Sequence, residues 1–299
     1  MPSRPRTAAT EPRATAAKPI PKIPLSTVFY ADDADVVIRA AGQLDFRAHK
    51  CILSVISPVF KVMFTTPEPL IKSSFLPHVD VQGSPKTWEN ILRTVYPMPN
   101  PTIDKLEDLE SLFLVAGKYQ MRSVIDLHKS CFANQAFLRE DPLRLYAVAC
   151  ASGLEDQAKY VARNVELLTV TRRSDASGLK GLTVGSYHRL ISFLAERDNE
   201  WYKTLSEARI SLNHNCGCNV RLKEELYNEI KENLKRPYLY VEEIYLKALE
   251  DRSRYSQQTC ASGTKCLFIS SGIRAFIERM IKERDKVCDK LLREKRYIE

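Results

Sequence analysis

Five residues in the last third of the chain, His214, Cys216, Cys218, Cys260 and Cys266, are of types that could hold a tetrahedral zinc ion. Thiolate and imidazole are suitable zinc ligands, and a closed site would staple two helical segments together. The Cys-x-Cys spacing departs from the common Cys-x-x-Cys knuckle, so free thiols or a disulfide remain alternative readings of the same residues. Zinc is therefore the single cofactor candidate. The other four cysteines, Cys51, Cys131, Cys150 and Cys288, fall on helical faces and read as small core residues. His49 falls at a strand-to-helix junction, a position that suits a structural histidine. Trp88 and Tyr119 could line a groove, but aromatics at helical spacing read as core. The sequence contains no recognisable nucleophile–base pair, phosphate loop or clustered pair of acids, so it is not expected to be an enzyme.

The elements around these residues follow from periodicity. Val36 and Ile38, then Leu44, Phe46 and Ala48, alternate as two strands of a hairpin with Gly42 in its turn. The period then changes. Ile52, Leu53 and Ile56 mark a helix, Ser57-Pro58 caps and opens a second, and Val59, Phe60, Met63 and Phe64 form its apolar side. Leu76 to Val81 reads as a short strand. Ser84-Pro85 starts a helix with Trp88, Ile91, Leu92, Val95 and Tyr96 on one face, ended by Pro97, Pro99 and Pro101. Leu106, Leu109, Phe113 and Ala116 mark the next helix, and Val124, Ile125, Leu127 and Phe132 the one after.

The order of residues from Asp35 to Phe64 resembles a BTB (POZ) domain. The resemblance rests on Asp35-Val36, on Phe46, Ala48, His49 and Lys50, on the Leu53-Ser54 to Ser57-Pro58-Val59-Phe60 run, and on Met63-Phe64. Ala116, Lys118, Tyr119 and Met121 resemble the junction before the last helix of that domain. The implied fold is α+β: short strands flanked by a helical cluster, followed by an all-α C-terminal region. The implied function is a non-enzymatic protein-interaction module, used for self-association as a homodimer or as an adaptor for a cullin-type ubiquitin ligase. In dimeric members the positions matching Asp35 and Lys50 lie near a charged pocket at the dimer interface, so Asp35, His49 and Lys50 form the expected interaction surface. Many cullin adaptors carry an apolar-x-Glu signature where this chain has Pro97-Met98-Pro99-Asn100-Pro101.

Beyond this domain, Asp141-Pro142 starts a helix that stops at Gly153. Leu154, Ala158, Val161, Ala162, Val165 and Leu168 form a second face, with alanines small enough for close helix approach. This run resembles the helical extension of fungal-type BTB proteins, in which paired cysteines also recur in the tail. Residues 171–181 read as a polar linker. Tyr187, Leu190, Ile191 and Leu194 mark a further helix. Leu222, Leu226, Ile230 and Leu234 mark another, ending before Pro237, and Val241, Ile244, Tyr245, Ala248 and Leu249 mark the next. The last helix carries Ile273, Ile277, Met280, Val287 and Leu291 in a repeat that Arg284 interrupts. Packing back on earlier helices suits it better than a coiled coil.

The expected division is a disordered basic tail over 1–24, the BTB domain over 25–137, a helical extension over 138–209, and a Cys-containing helical region over 210–299. The tail holds six prolines and little that is apolar, which argues against both a folded segment and an amphipathic mitochondrial presequence. The chain has 299 residues, 44% hydrophobic and 27% charged, as in ordinary globular proteins. The formal net charge of +8 suits a solvated surface that tolerates acidic partners. No zinc finger or RNA-binding signature accompanies it, so nucleic acid is not an expected partner, although a metal-binding or transcription-associated regulator acting through the tail is the alternative reading. With no membrane span and no secretory leader evident, and with eight cysteines, an intracellular protein of nucleus or cytoplasm is expected.

Overall fold

The computed structural model describes residues 23–41, 43–65, 76–172, 179, 181–208, 228–235, 243–244 and 268–293. Strands β1 (Val36–Ala40) and β2 (Leu44–Ala48) form the antiparallel hairpin, with Ile38 opposite Phe46. Gln43 N–H donates to the Ala40 carbonyl at 2.9 Å, and Ala41 takes the left-handed conformation, φ 47°, that a tight hairpin turn needs. Gly42 lies outside the described residues. Alternation places Val36, Ile38, Ala40, Phe46 and Ala48 on the buried face.

Helices α1 (Lys50–Ile56) and α2 (Pro58–Thr65) follow, and the chain returns as β3 (His78–Val81), parallel to β1. The sheet order is β2-β1-β3. Ser57 joins the two helices at full burial. Its Oγ accepts from Phe60 N–H at 3.1 Å, capping α2, and donates to the Tyr119 carbonyl at 2.5 Å. Helix α3 (Pro85–Val95) starts as expected, with Ser84 accepting from Thr87 N–H at 3.1 Å and Pro85 at the first position. Helices α4 (Leu106–Lys118) and α5 (Arg122–His128) complete the cluster. Phe46, Leu53, Phe60 and Phe113 lie in one core, each at most 1% exposed.

Four positions expected to be buried face water instead: Cys51, Met63, Leu127 and Leu168. On α2 the inward pair is Phe60 and Phe64, whose rings stack at 5.6 Å, and Met63 turns to the other side. On α5 the inward place is taken by His128, whose Nδ1 lies 3.0 Å from the Val124 carbonyl. A 3₁₀ turn over Lys129–Ala133 then swings Phe132 against Phe113.

Five further helices follow: α6 (Gln135–Glu140), α7 (Pro142–Ala151), α8 (Glu155–Ala162), α9 (Leu167–Arg172) and α10 (Val184–Glu207). Asp141 caps α7, accepting from Arg144 N–H at 3.0 Å. Its C-terminus closes at Gly153, φ 66°, where Gly153 N–H reaches the Cys150 carbonyl and Leu154 N–H the Ala149 carbonyl. That pair of bonds needs a left-handed residue, which glycine supplies without a Cβ clash. The last helix, α11 (Phe268–Arg293), packs back along α10. Leu190, Phe193 and Leu194 of α10 share the main core with Cys288, Leu291 and Leu292 of α11. Trp201 and Leu205 share a second core with Phe276, Ile277 and Met280, joined by Ile230, Leu234 and Ile244. Early residues of one helix meet late residues of the other, so the pair is antiparallel. No helix among the described residues is long and apolar enough to cross a membrane.

Candidate functional site

The hairpin delivers Asp35 to the start of β1 and His49-Lys50 to the end of β2, so one short span brings all three to the N-terminus of α1. His49 occupies the cap position, yet its side chain makes no capping bond. Asp35 does this work from across the sheet. Its Oδ1 accepts from Lys50 N–H at 2.7 Å, while its own N–H donates to the Ala48 carbonyl at 3.2 Å. A carboxylate at a helix N-terminus satisfies an orphan donor and meets the positive end of the helix dipole. Asp35→Ala is expected to lower stability by about 0.5–2 kcal/mol, whereas Asp35→Asn should keep most of the cap, both read as shifts in urea midpoint.

His49 is tied to Tyr96. The Tyr96 Oη accepts from His49 N–H at 2.9 Å and lies 2.9 Å from His49 Nδ1. In one of the two imidazole tautomers the phenol donates its proton to Nδ1. That tautomer has Nε2 carrying hydrogen, and it faces Asp33 Oδ1 at 3.4 Å. Burial pushes the Tyr96 hydroxyl above its ordinary value against the opposing effect of the His49 hydrogen bond. Its ring packs edge-on to Phe29 at 5.5 Å. The Lys50 ammonium lies 5.6 Å from the Phe64 ring centroid, a cation–π contact.

Sequence reasoning named Asp35, His49 and Lys50, and the structure brings them together. It missed Tyr96 and Asp33, which complete the cluster. The groups bond chiefly to one another, which makes a fixed polar patch. Beside the patch, α1 and α2 expose Val55, at 86%, with Val62 at 66% and Met63 at 44%. Branched aliphatics left in water on two consecutive helices are suited to burial against another surface.

His214, Cys216, Cys218, Cys260 and Cys266 lie outside the described residues. Among the described residues no three His, Cys, Asp or Glu side chains group to hold a metal ion. Burial raises the thiols of Cys131, Cys150 and Cys288 above their ordinary value, as expected of core cysteines, whereas Cys51 is exposed.

Residues 29–135 match the family model of the BTB/POZ domain. Among solved structures, the chain is similar to the BTB domain of zebrafish PATZ1, at 27% identity, covering 31% of this chain and 70% of that one with a TM-score of 0.25. No curated protein matches.

Proposed function

We propose that this chain, whose residues 29–135 carry a BTB/POZ domain, is a non-enzymatic interaction module that associates with a second copy of itself through α1, α2 and the Asp35–His49–Lys50 patch. BTB domains are in general protein-interaction and oligomerisation modules. The observation that carries the reading is the exposure of Val55, Val62 and Met63 on the two helices next to that patch. The edge of β2 is already taken by the chain's own N-terminal segment: Asp45 N–H donates to the Pro24 carbonyl at 2.9 Å and Ser26 N–H to the Asp45 carbonyl at 2.8 Å. The interface at this end is, in this reading, built from helix faces. In this reading residues 25–137 form the association domain, 138–209 its helical extension and 210–299 a further helical region, in a protein of nucleus or cytoplasm. Cullin binding would draw on α2 and on the loop that carries Pro97, Pro99 and Pro101, which lacks the apolar-x-Glu signature.

Light scattering tests the proposal. The chain has a mass of 34.1 kDa, and twice that mass is expected at micromolar concentration. Val55→Glu and Val62→Glu together should return it to single mass with unchanged circular dichroism, since a buried carboxylate without a partner is strongly disfavoured. A wild-type chain that stays single at tens of micromolar would refute self-association.

A further inference from the structure

A cleft of about 260 Å³ opens between α7, α8 and α10, away from the BTB sheet. Its floor is apolar and includes Leu154, Ala162, Phe193 and Leu292. The space exists because small residues stand where larger ones would fill it. Ala158 and Ala162 line one wall, and a Cβ added at Gly153 would meet nothing within 4 Å.

One end of the cleft is polar in a particular sense. Tyr146, Ser186 and Arg189 gather around Cys150, and all three act on its sulfur so as to favour negative charge. Burial outweighs them, so the thiol is raised and stays neutral. The neutral thiol therefore leaves the positive charge at this end of the cleft without an anionic partner. Of the three, Tyr146 acts most strongly on the sulfur, and Arg189 is the one that carries a full positive charge. A guanidinium has five N–H donors, yet Arg189 makes one hydrogen bond among the described residues, from Nη2 to Ser186 Oγ at 3.2 Å, and no ion pair. The other cation of the rim, Lys159, is neutralised by Glu155 at 2.7 Å. The walls are compact and the volume lies near the lower end of ligand pockets, which limits the apolar part to about one ring or a short chain.

We propose that this cleft binds a small organic carboxylate with a compact apolar body, the carboxylate on Arg189 and the body on the floor formed by Leu154, Phe193 and Leu292. The proposal is independent of self-association, because its residues lie in the helical extension and α11.

The test uses the full chain with two probes, 4-phenylbutyrate and its neutral analogue 4-phenylbutanol, titrated by calorimetry and by methyl NMR. The carboxylate should bind saturably at one per chain and about tenfold more tightly than the alcohol, the factor expected of a charge-assisted pair. Its phenyl protons should give intermolecular Overhauser effects to methyls of Leu154 and Leu292. Arg189→Gln should bring the two probes to within about twofold of one another, and Arg189→Lys should keep part of the preference, because it keeps charge without the planar fork. Saturable binding that does not distinguish acid from alcohol in the wild type would overturn the proposal even if a variant failed to fold. So would the absence of saturable binding at millimolar probe, or contacts that map elsewhere.

Discussion

Replacing Arg197 by methionine is expected to destabilise the chain by about 3–5 kcal/mol, the cost of breaking a buried ion pair from one side. The Arg197 side chain is 4% exposed and every part of its fork is engaged. Nε and Nη2 donate to Asp198 Oδ1 at 2.8 and 2.6 Å, and Nη1 donates to the carbonyls of Arg163 at 3.2 Å and Val165 at 2.8 Å. Those carbonyls lie just past the C-terminal end of α8, where the negative end of a helix dipole favours a cation. A side chain on α10 therefore closes the exit of α8 and fixes the loop leading to α9. Methionine keeps the stem but leaves two carbonyls and a largely buried carboxylate without this partner, each worth about 1–3 kcal/mol when unsatisfied. Arg197→Lys should recover less than half, because one ammonium cannot reach all three acceptors. Urea unfolding followed by tryptophan fluorescence is the measurement, since Trp201 lies one turn further along α10 in the second core. A methionine variant within about 1 kcal/mol of wild type would mean that water replaces the guanidinium at those carbonyls.

This clamp was not legible in the sequence, and the reason is general to the chain. Where a feature depends on neighbours in sequence, the residues announced it. Ser57-Pro58, Ser84-Pro85 and Asp141-Pro142 start helices because hydroxyl or carboxylate and proline act within one turn. Gly153 stops one because only its own backbone must turn left-handed. The hairpin and the faces of α3 and α4 followed from alternation and helical spacing. Gln120 makes the same closing bonds after α4 as Gly153 does after α7, with φ 54°, yet a glutamine carries no such signal. The cap on α1 comes from Asp35, 15 residues upstream, and the anchor of His49 from Tyr96, 47 residues downstream, so local rules could not pair them. Leu127 and His128 exchanged roles because the neighbour that the inward position meets decides which fits, and hydropathy alone favours leucine. The cleft draws its lining from α7, α8, α10 and α11, and no single segment encodes it. The five tail residues with metal-ligand chemistry lie outside the described residues.

Phe60→Ala is expected to lower stability by about 3–5 kcal/mol through lost burial and a cavity that cannot close. The Phe60 ring is fully buried where α2, α3 and α4 meet. It stacks on Tyr119 with centroids 5.0 Å apart and planes 6° from parallel, and it meets the edge of Trp88 at 6.0 Å. Its neighbours are fixed by bonds of their own. Trp88 Nε1 donates to the Gln82 carbonyl at 2.8 Å, and Tyr119 Oη accepts from Gln82 N–H at 3.3 Å. Held at both ends of residue 82, those rings cannot move into the space that alanine leaves. Phe60→Leu refills much of the volume without the aromatic faces and should cost less, about 1–2 kcal/mol. Phe46→Ala is the control, since Phe46 is buried to the same degree on the sheet and carries a similar loss. The two variants should part in self-association, because Phe60 anchors the helix that exposes Val62 and Met63 and Phe46 does not. At a temperature where both remain folded, Phe60→Ala should weaken the doubled mass in light scattering while Phe46→Ala leaves it. Equal stability loss with equal association in the two variants would show that α2 holds its exposed face without Phe60.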